Sequence, residues 1–97
     1  VVFAFGRDYS DVAMLFDWAR RQGARAVLIT DVPYTHMASL ADSVIVFERG
    51  PMDIFSSMAI PVAVADALVV AVTKHRGESA LEAVRKLENV RKRYGFL

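Results

Sequence analysis

Cysteine is absent from this 97-residue chain. That excludes a disulfide framework and any thiolate-bound metal, and it suits a reducing, cytoplasmic compartment. Two histidines lie far apart in the sequence among scattered carboxylates, so no metal-ligand constellation is expected either. Neither sign of charge dominates: 12 Lys and Arg stand against 11 Asp and Glu, a formal net charge of +1. A whole-chain field of the kind that draws nucleic acid or a membrane surface is therefore missing. Long hydrophobic runs are scarce as well. The most apolar stretch, "MAIPVAVADALVVAVT" at positions 58–73, is too short to cross a bilayer and carries Asp66, so no membrane partner is expected. The sequence holds no internal repeat, low-complexity tract or second domain.

What is present is a compact composition, 55% hydrophobic and 24% charged, suited to one small domain over residues 1–97. "VVFAF" is a continuous apolar run of strand length that stops at Gly6, as a strand buried on both faces of a parallel sheet would. Over residues 10–22, Val12, Leu15, Phe16 and Ala19 recur at helical spacing, with Ser10 placed to cap the start and Gly23 to stop the end. "ARAVLIT" reads as a second buried strand closed by Asp31, Val32 and Pro33. "THMASLAD" reads as one or two turns of helix, and "SVIVFE" as a third strand. This order predicts consecutive right-handed parallel crossovers and three adjacent parallel strands. The chain begins inside the first strand, which predicts that further residues precede Val1.

Past the turn-rich "ERGPMD", residues 54–75 read as a long helix, apolar nearly all round; Pro61 requires either that it start at about Ile60 or that it kink there, and the kink is the reading adopted. Three strands cannot cover such a helix, so a missing half-domain or a second copy of the chain is its expected partner, making the protein a homo-oligomer through residues 54–75. "SALE" matches a capping box, Ser79 with Glu82, opening a last helix through Tyr94. Residues 1–75 hold six basic and eight acidic side chains, whereas 76–97 hold six basic and three acidic. The basic tail is read as a solvated amphipathic helix with Leu87, Val90 and Tyr94 on one face, rather than as a DNA contact.

In open parallel sheets, ligands bind at the carboxyl ends of the strands, where helix N-termini present unpaired amides. The loop from Gly6 to Ser10 sits there. Gly6 allows close backbone approach to an anion, Arg7 can pair with a phosphate, and the hydroxyls of Tyr9 and Ser10 can donate to its oxygens. Thr30 and Asp31, closing the second strand at the same edge, are candidates for a sugar hydroxyl. Ser56, with Ser57, is placed either to cap the long helix or to reach a ligand. His36 and Glu48 are the candidate general bases at this edge, but no carboxylate stands at supporting distance from His36 and Glu48 reads as a charged residue where the chain emerges into solvent, so catalysis is not expected. His75 falls at the far end of the long helix.

The succession "VVFAFGRDYSDV…LFDWARRQGARAVLITD…YTHMASLADSVIVF…DIFSSMAIPVAVADALV" resembles the second half of a sugar isomerase (SIS) domain, most closely the version in RpiR-type transcriptional regulators. "ARRQGARAVLITD" is similar to the family's helix end, glycine and strand closed by Thr-Asp. "THMASLAD" is similar to its Ser-Pro-Leu-Ala-x-x-Ala-Asp element, with Thr35 for the serine and His36 for the proline. "RKRYGFL" is similar to its closing segment. The resemblance implies a flavodoxin-like three-layer α/β sandwich, here the C-terminal portion of the domain, that binds a phosphorylated sugar without a cofactor and assembles as a dimer or tetramer. It also implies that DNA is bound only through an N-terminal helix-turn-helix domain, which these residues do not include, as they do not include the first part of the SIS sheet. The family's Ser-x-Ser-Gly-x-Thr phosphate loop corresponds here to "AFGRDYS", with Ala4 and Gly6 where serines are expected. Many regulators of this type carry an Arg and Tyr version of that loop. Two other functions share the fold: a sugar-phosphate (aldose-ketose) isomerase, which needs a base such as Glu48 or His36, and a domain serving assembly alone.

Overall fold

The computed structural model describes residues 1–50 and 56–95. The chain divides into two compact units, Val1–Pro61 and Val62–Leu97. In the first unit the order is β1 (Val2–Phe3), α1 (Ser10–Arg21), β2 (Val27–Thr30), α2 (His36–Leu40) and β3 (Ser43–Val46). The strands form one parallel sheet in the order β1-β2-β3. The expected mixed α/β organisation with three adjacent parallel strands is thus the observed one. Backbone pairing runs past the short strands: the Ala4 amide donates to the Ile29 carbonyl at 3.0 Å, and the Phe47 amide to the Thr30 carbonyl at 3.2 Å.

Register places Val2, Leu28 and Val44 in one row, and Phe3, Ile29 and Ile45 in the next. Because side chains alternate across a pleated strand, these rows face opposite sides of the sheet. On the Leu28 side, α1 and α2 close a core of Ala4, Ala13, Phe16, Ala26, Leu28 and Met37, with Val2, Val12 and Leu40 packed around it. On the Ile29 side the aromatic rings chain together, Phe3 to Phe5 at 6.4 Å and Phe5 to Phe47 at 5.8 Å between centroids. Leu28, Ile29 and Thr30 of the central strand are fully buried. The expectation that the first strand is buried on both faces is corrected: Val2 is half-buried and Phe3 exposed, and the four residues of β3 are exposed as well. The reason is position: β2 has a neighbour on each side, while β1 and β3 are edge strands among the described residues.

Helix boundaries correct the sequence reading in three places. The N-cap of α1 is Tyr9, without a side-chain capping bond, so Ser10 is the first helical residue and not the cap. The long helix is α3 (Ala59–Arg76), and Pro61 lies in its first turn. There the missing amide has no intrahelical role, so proline is accommodated without the expected kink. Residues 51–55, including the expected helix start at 54, lie outside the described residues, as do 96–97. Third, the last helix, α4 (Glu78–Arg93), starts one residue before Ser79, with Gly77 at its N-cap at φ +55°. The Ser79 hydroxyl donates back to the Arg76 carbonyl at 3.1 Å, so the "SALE" capping box is not made. Proximity to the preceding helix end offers that hydroxyl a bare carbonyl, which competes with the forward amide. In this second unit α3 and α4 meet at Gly77 without packing along their lengths, and Ala80 is the buried residue of α4. Among the described residues no helix is long and apolar enough to cross a membrane.

Candidate functional site

Parallel crossovers bring three loops to the carboxyl edge of the sheet: residues 4–9 after β1, 31–35 after β2 and 47–50 after β3. Two carboxylates and one guanidinium lace them together. Asp8, in the first loop, accepts from the His36 amide at 2.8 Å and the Met37 amide at 3.1 Å. These amides open α2, so the first loop supplies a cap to the second helix, alongside the Thr35 hydroxyl, which accepts from the Ala38 amide at 3.1 Å. The Met37 and His36 amides hold the Asp8 carboxyl below its ordinary value.

Asp31, in the second loop, ties both of the others. One carboxylate oxygen accepts from the Gly6 amide at 2.8 Å and the other from Nε of Arg49 at 2.9 Å. The two side chains are only 9% and 12% exposed. Burial pushes the Asp31 carboxyl up, but the Gly6 amide and the Arg49 guanidinium outweigh it and hold the group below its ordinary value. The Arg49 guanidinium also lies 4.7 Å from the Phe5 ring centroid, a cation–π stack that fixes its plane. Gly6 adopts φ +85°, and its amide is aimed at Asp31 by that left-handed turn.

These contacts assign the expected ligand residues to separate tasks. The Gly6 amide is engaged by Asp31, and the Tyr9 hydroxyl donates to the Phe5 carbonyl at 2.8 Å, so both donors fold the loop. Thr30 is fully buried, its hydroxyl accepting from the Val32 amide at 3.1 Å and shaping the turn toward Pro33. Arg7 and Ser10 are exposed, with the Arg7 guanidinium 4.8 Å from the Tyr9 ring centroid. Ser56 is exposed. Its neighbour Ser57 donates its amide to the Arg49 carbonyl at 2.9 Å, which brings this segment beside the third loop, and the Ser57 hydroxyl accepts from the Ala59 amide at 3.1 Å at the mouth of α3. His36 is the first residue of α2 and exposed. With Ser10 and Met14 it lines a groove of about 360 Å³ between α1 and α2, on the outer side of the rim.

A second recess, about 300 Å³, opens between the second and third loops and is lined by Asp31, Glu48, Arg49 and Gly50. A third, about 430 Å³, is lined by Phe3, Ala4, Phe5, Tyr9, Val12 and Arg49. Arg49 is common to both, and sequence reading missed it. The signal available was position: an arginine two residues beyond "VIVF", at the same edge as an aspartate that closes the preceding strand. Asp8 was missed for the same reason, since an aspartate before a helix reads as solvated until the second helix is seen beneath it.

No family model, no curated protein and no solved structure matches this chain.

Proposed function

We propose that this chain is the C-terminal part of a flavodoxin-like SIS domain and senses a phosphorylated sugar, as the effector-binding portion of an RpiR-type transcriptional regulator. The observation that carries the reading is the shared rim. Three parallel strands end at one edge, and their loops are fastened by Asp8, Asp31 and Arg49 into a single preorganised surface. Preorganised polar groups at that edge are what a small polar ligand requires. Arg7 and the Ser10 hydroxyl, with the first-turn amides of α1, are the donors left for the phosphate. Asp31 and the third loop are left for the sugar.

Binding without conversion is the function proposed. An isomerase needs a base held over the reacting carbons, and neither the His36 imidazole nor the Glu48 carboxylate has a polar partner to orient it among the described residues. DNA would be contacted by a separate N-terminal domain, and α3, whose apolar side chains find no packing along α4, would pair with a second copy of the chain in a cytoplasmic oligomer.

Calorimetric titration of the 97-residue chain with hexose 6-phosphates tests the reading. Saturable binding that weakens in Arg7→Gln is the expected result, and absence of heat or thermal shift with any phosphosugar overturns it. Turnover of the same compounds would replace the sensor with the isomerase.

A further inference from the structure

Resting on the phosphosugar reading, we propose that the recess between Asp31, Glu48, Arg49 and Gly50 is the hydroxyl-binding half of the site, built for adjacent hydroxyls of an uncharged polyol or of the sugar ring and not for the phosphate.

The argument starts from charge. Two carboxylates and one guanidinium line this recess, and the guanidinium is already neutralised by Asp31 at 2.9 Å. An anion entering here meets the unbalanced Glu48 carboxylate and would have to compete with Asp31 for Arg49, so a phosphate is disfavoured. A hydroxyl meets no such penalty, because it donates to a carboxylate and accepts from a guanidinium in the same geometry.

Unused capacity supports the assignment. Among the described residues, one Asp31 oxygen receives the Gly6 amide and the other Arg49 Nε, and a carboxylate accepts about four hydrogen bonds in all. Arg49 spends Nε on Asp31 and directs Nη1 at the Met58 sulfur, 3.7 Å away, a weak acceptor. Nη2 has no oxygen partner among the described residues. It lies over Gly6, where a Cβ would stand 3.8 Å from it. Glu48 is exposed and makes no side-chain bond among the described residues. One rigid donor and two acceptors therefore converge on a recess of about 300 Å³. Asp31 here is also a positioning residue, since its bond to Nε and the Phe5 stack fix the guanidinium plane.

The test uses the full chain and three compounds: sorbitol, inorganic phosphate and glucose 6-phosphate. The Arg49 Nε–H signal is followed by NMR in the wild-type protein, which requires no variant to fold. Sorbitol and glucose 6-phosphate are expected to move it, and inorganic phosphate to leave it in place. Glu48→Gln, at an exposed and unbonded position, is expected to lower the ratio of glucose 6-phosphate to phosphate affinity by roughly tenfold, the effect of losing a hydrogen bond to a charged acceptor. If glucose 6-phosphate binds while the Arg49 signal stays still and the ratio is unchanged, the recess assignment is overturned and the sensor reading survives. If sorbitol moves the signal but the phosphorylated sugar binds no tighter than sorbitol, the recess stands and the sensor reading falls. A signal that moves with phosphate alone overturns the proposed division of the site, and no response to any of the three overturns both.

Discussion

Arg49 and Asp31, eighteen residues apart in the chain, meet at 2.9 Å with both side chains nearly buried, and the same aspartate holds the Gly6 amide on its other oxygen. One side chain thus joins the loops after all three strands, in a place where an unpaired charge of either sign would be costly.

Replacing that aspartate by asparagine keeps its shape and one acceptor but leaves the guanidinium without a counter-charge. Asp31→Asn is expected to lower unfolding stability by about 2–3 kcal/mol, read as a reduced urea midpoint at an unchanged slope. A midpoint equal to that of the wild type would show that solvent, and not the bridge, satisfies Arg49.

Acidification acts on the same bond. Because the folded protein holds the Asp31 carboxyl below its ordinary value, the unfolded chain takes up the proton first as the pH drops. The contribution of this group is therefore complete at neutral pH, begins to fall as the pH approaches the ordinary carboxyl value of about 3.9, and is lost as it passes through the lower folded value. Asp8 shifts in the same direction and adds to the slope. Urea midpoints measured from pH 7 to pH 2 should drop steeply at the acid end, and Asp31→Asn should flatten that drop. Parallel curves for the two proteins would contradict the assignment.

At Gly6 the backbone itself is the constraint. Its φ of +85° is a conformation that a Cβ makes unfavourable, although the space around it is open, with Arg49 no closer than 3.8 Å. Gly6→Ala should cost about 1–2 kcal/mol through strain alone, and it should shift the Arg49 Nε–H signal because the loop and the guanidinium share Asp31. A neutral substitution would mean that the turn relaxes to negative φ.

The Asp8 cap is best read one amide at a time. Asp8→Asn removes the charge and one of the two acceptor oxygens facing His36 and Met37. Hydrogen exchange at these two amides should accelerate while that of Leu28 and Ile29 in the central strand stays slow. Uniform acceleration across the unit would indicate that the cap holds the whole fold and not α2 alone.

Some of this was legible from residue order and some was not. The apolar runs "VVFAF", "AVLIT" and "VIVF" and the helical spacing of Val12, Phe16 and Ala19 are local signals, and they predicted the strands, their parallel adjacency and the first helix. Gly23, at φ +78°, ends α1 where expected. Caps were read less well. Ser10 and Ser79 look like N-caps in sequence, yet Tyr9 and Gly77 occupy those positions, because a hydroxyl chooses among all carbonyls and amides within reach and sequence shows only the nearest in the chain. Pro61 looked like a kink because the start of α3 was placed too early. Once the helix begins at Ala59, the same proline sits where it does no harm.

Residue order by itself determined the alternation of strand and helix, and with it the edge at which Gly6, Asp31 and Glu48 emerge, since hydrophobic periodicity and crossover handedness are properties of neighbouring residues. Only the tertiary structure decided which of those groups are already committed. It engaged the Gly6 amide and the Tyr9 and Thr30 hydroxyls in holding the loops, brought Arg49 onto Phe5 and Asp31, and made Asp8 the cap of a helix twenty-eight residues away. Hydrogen bonds and ion pairs form between groups that the fold brings within 3 Å, and that distance is fixed by packing, not by sequence separation.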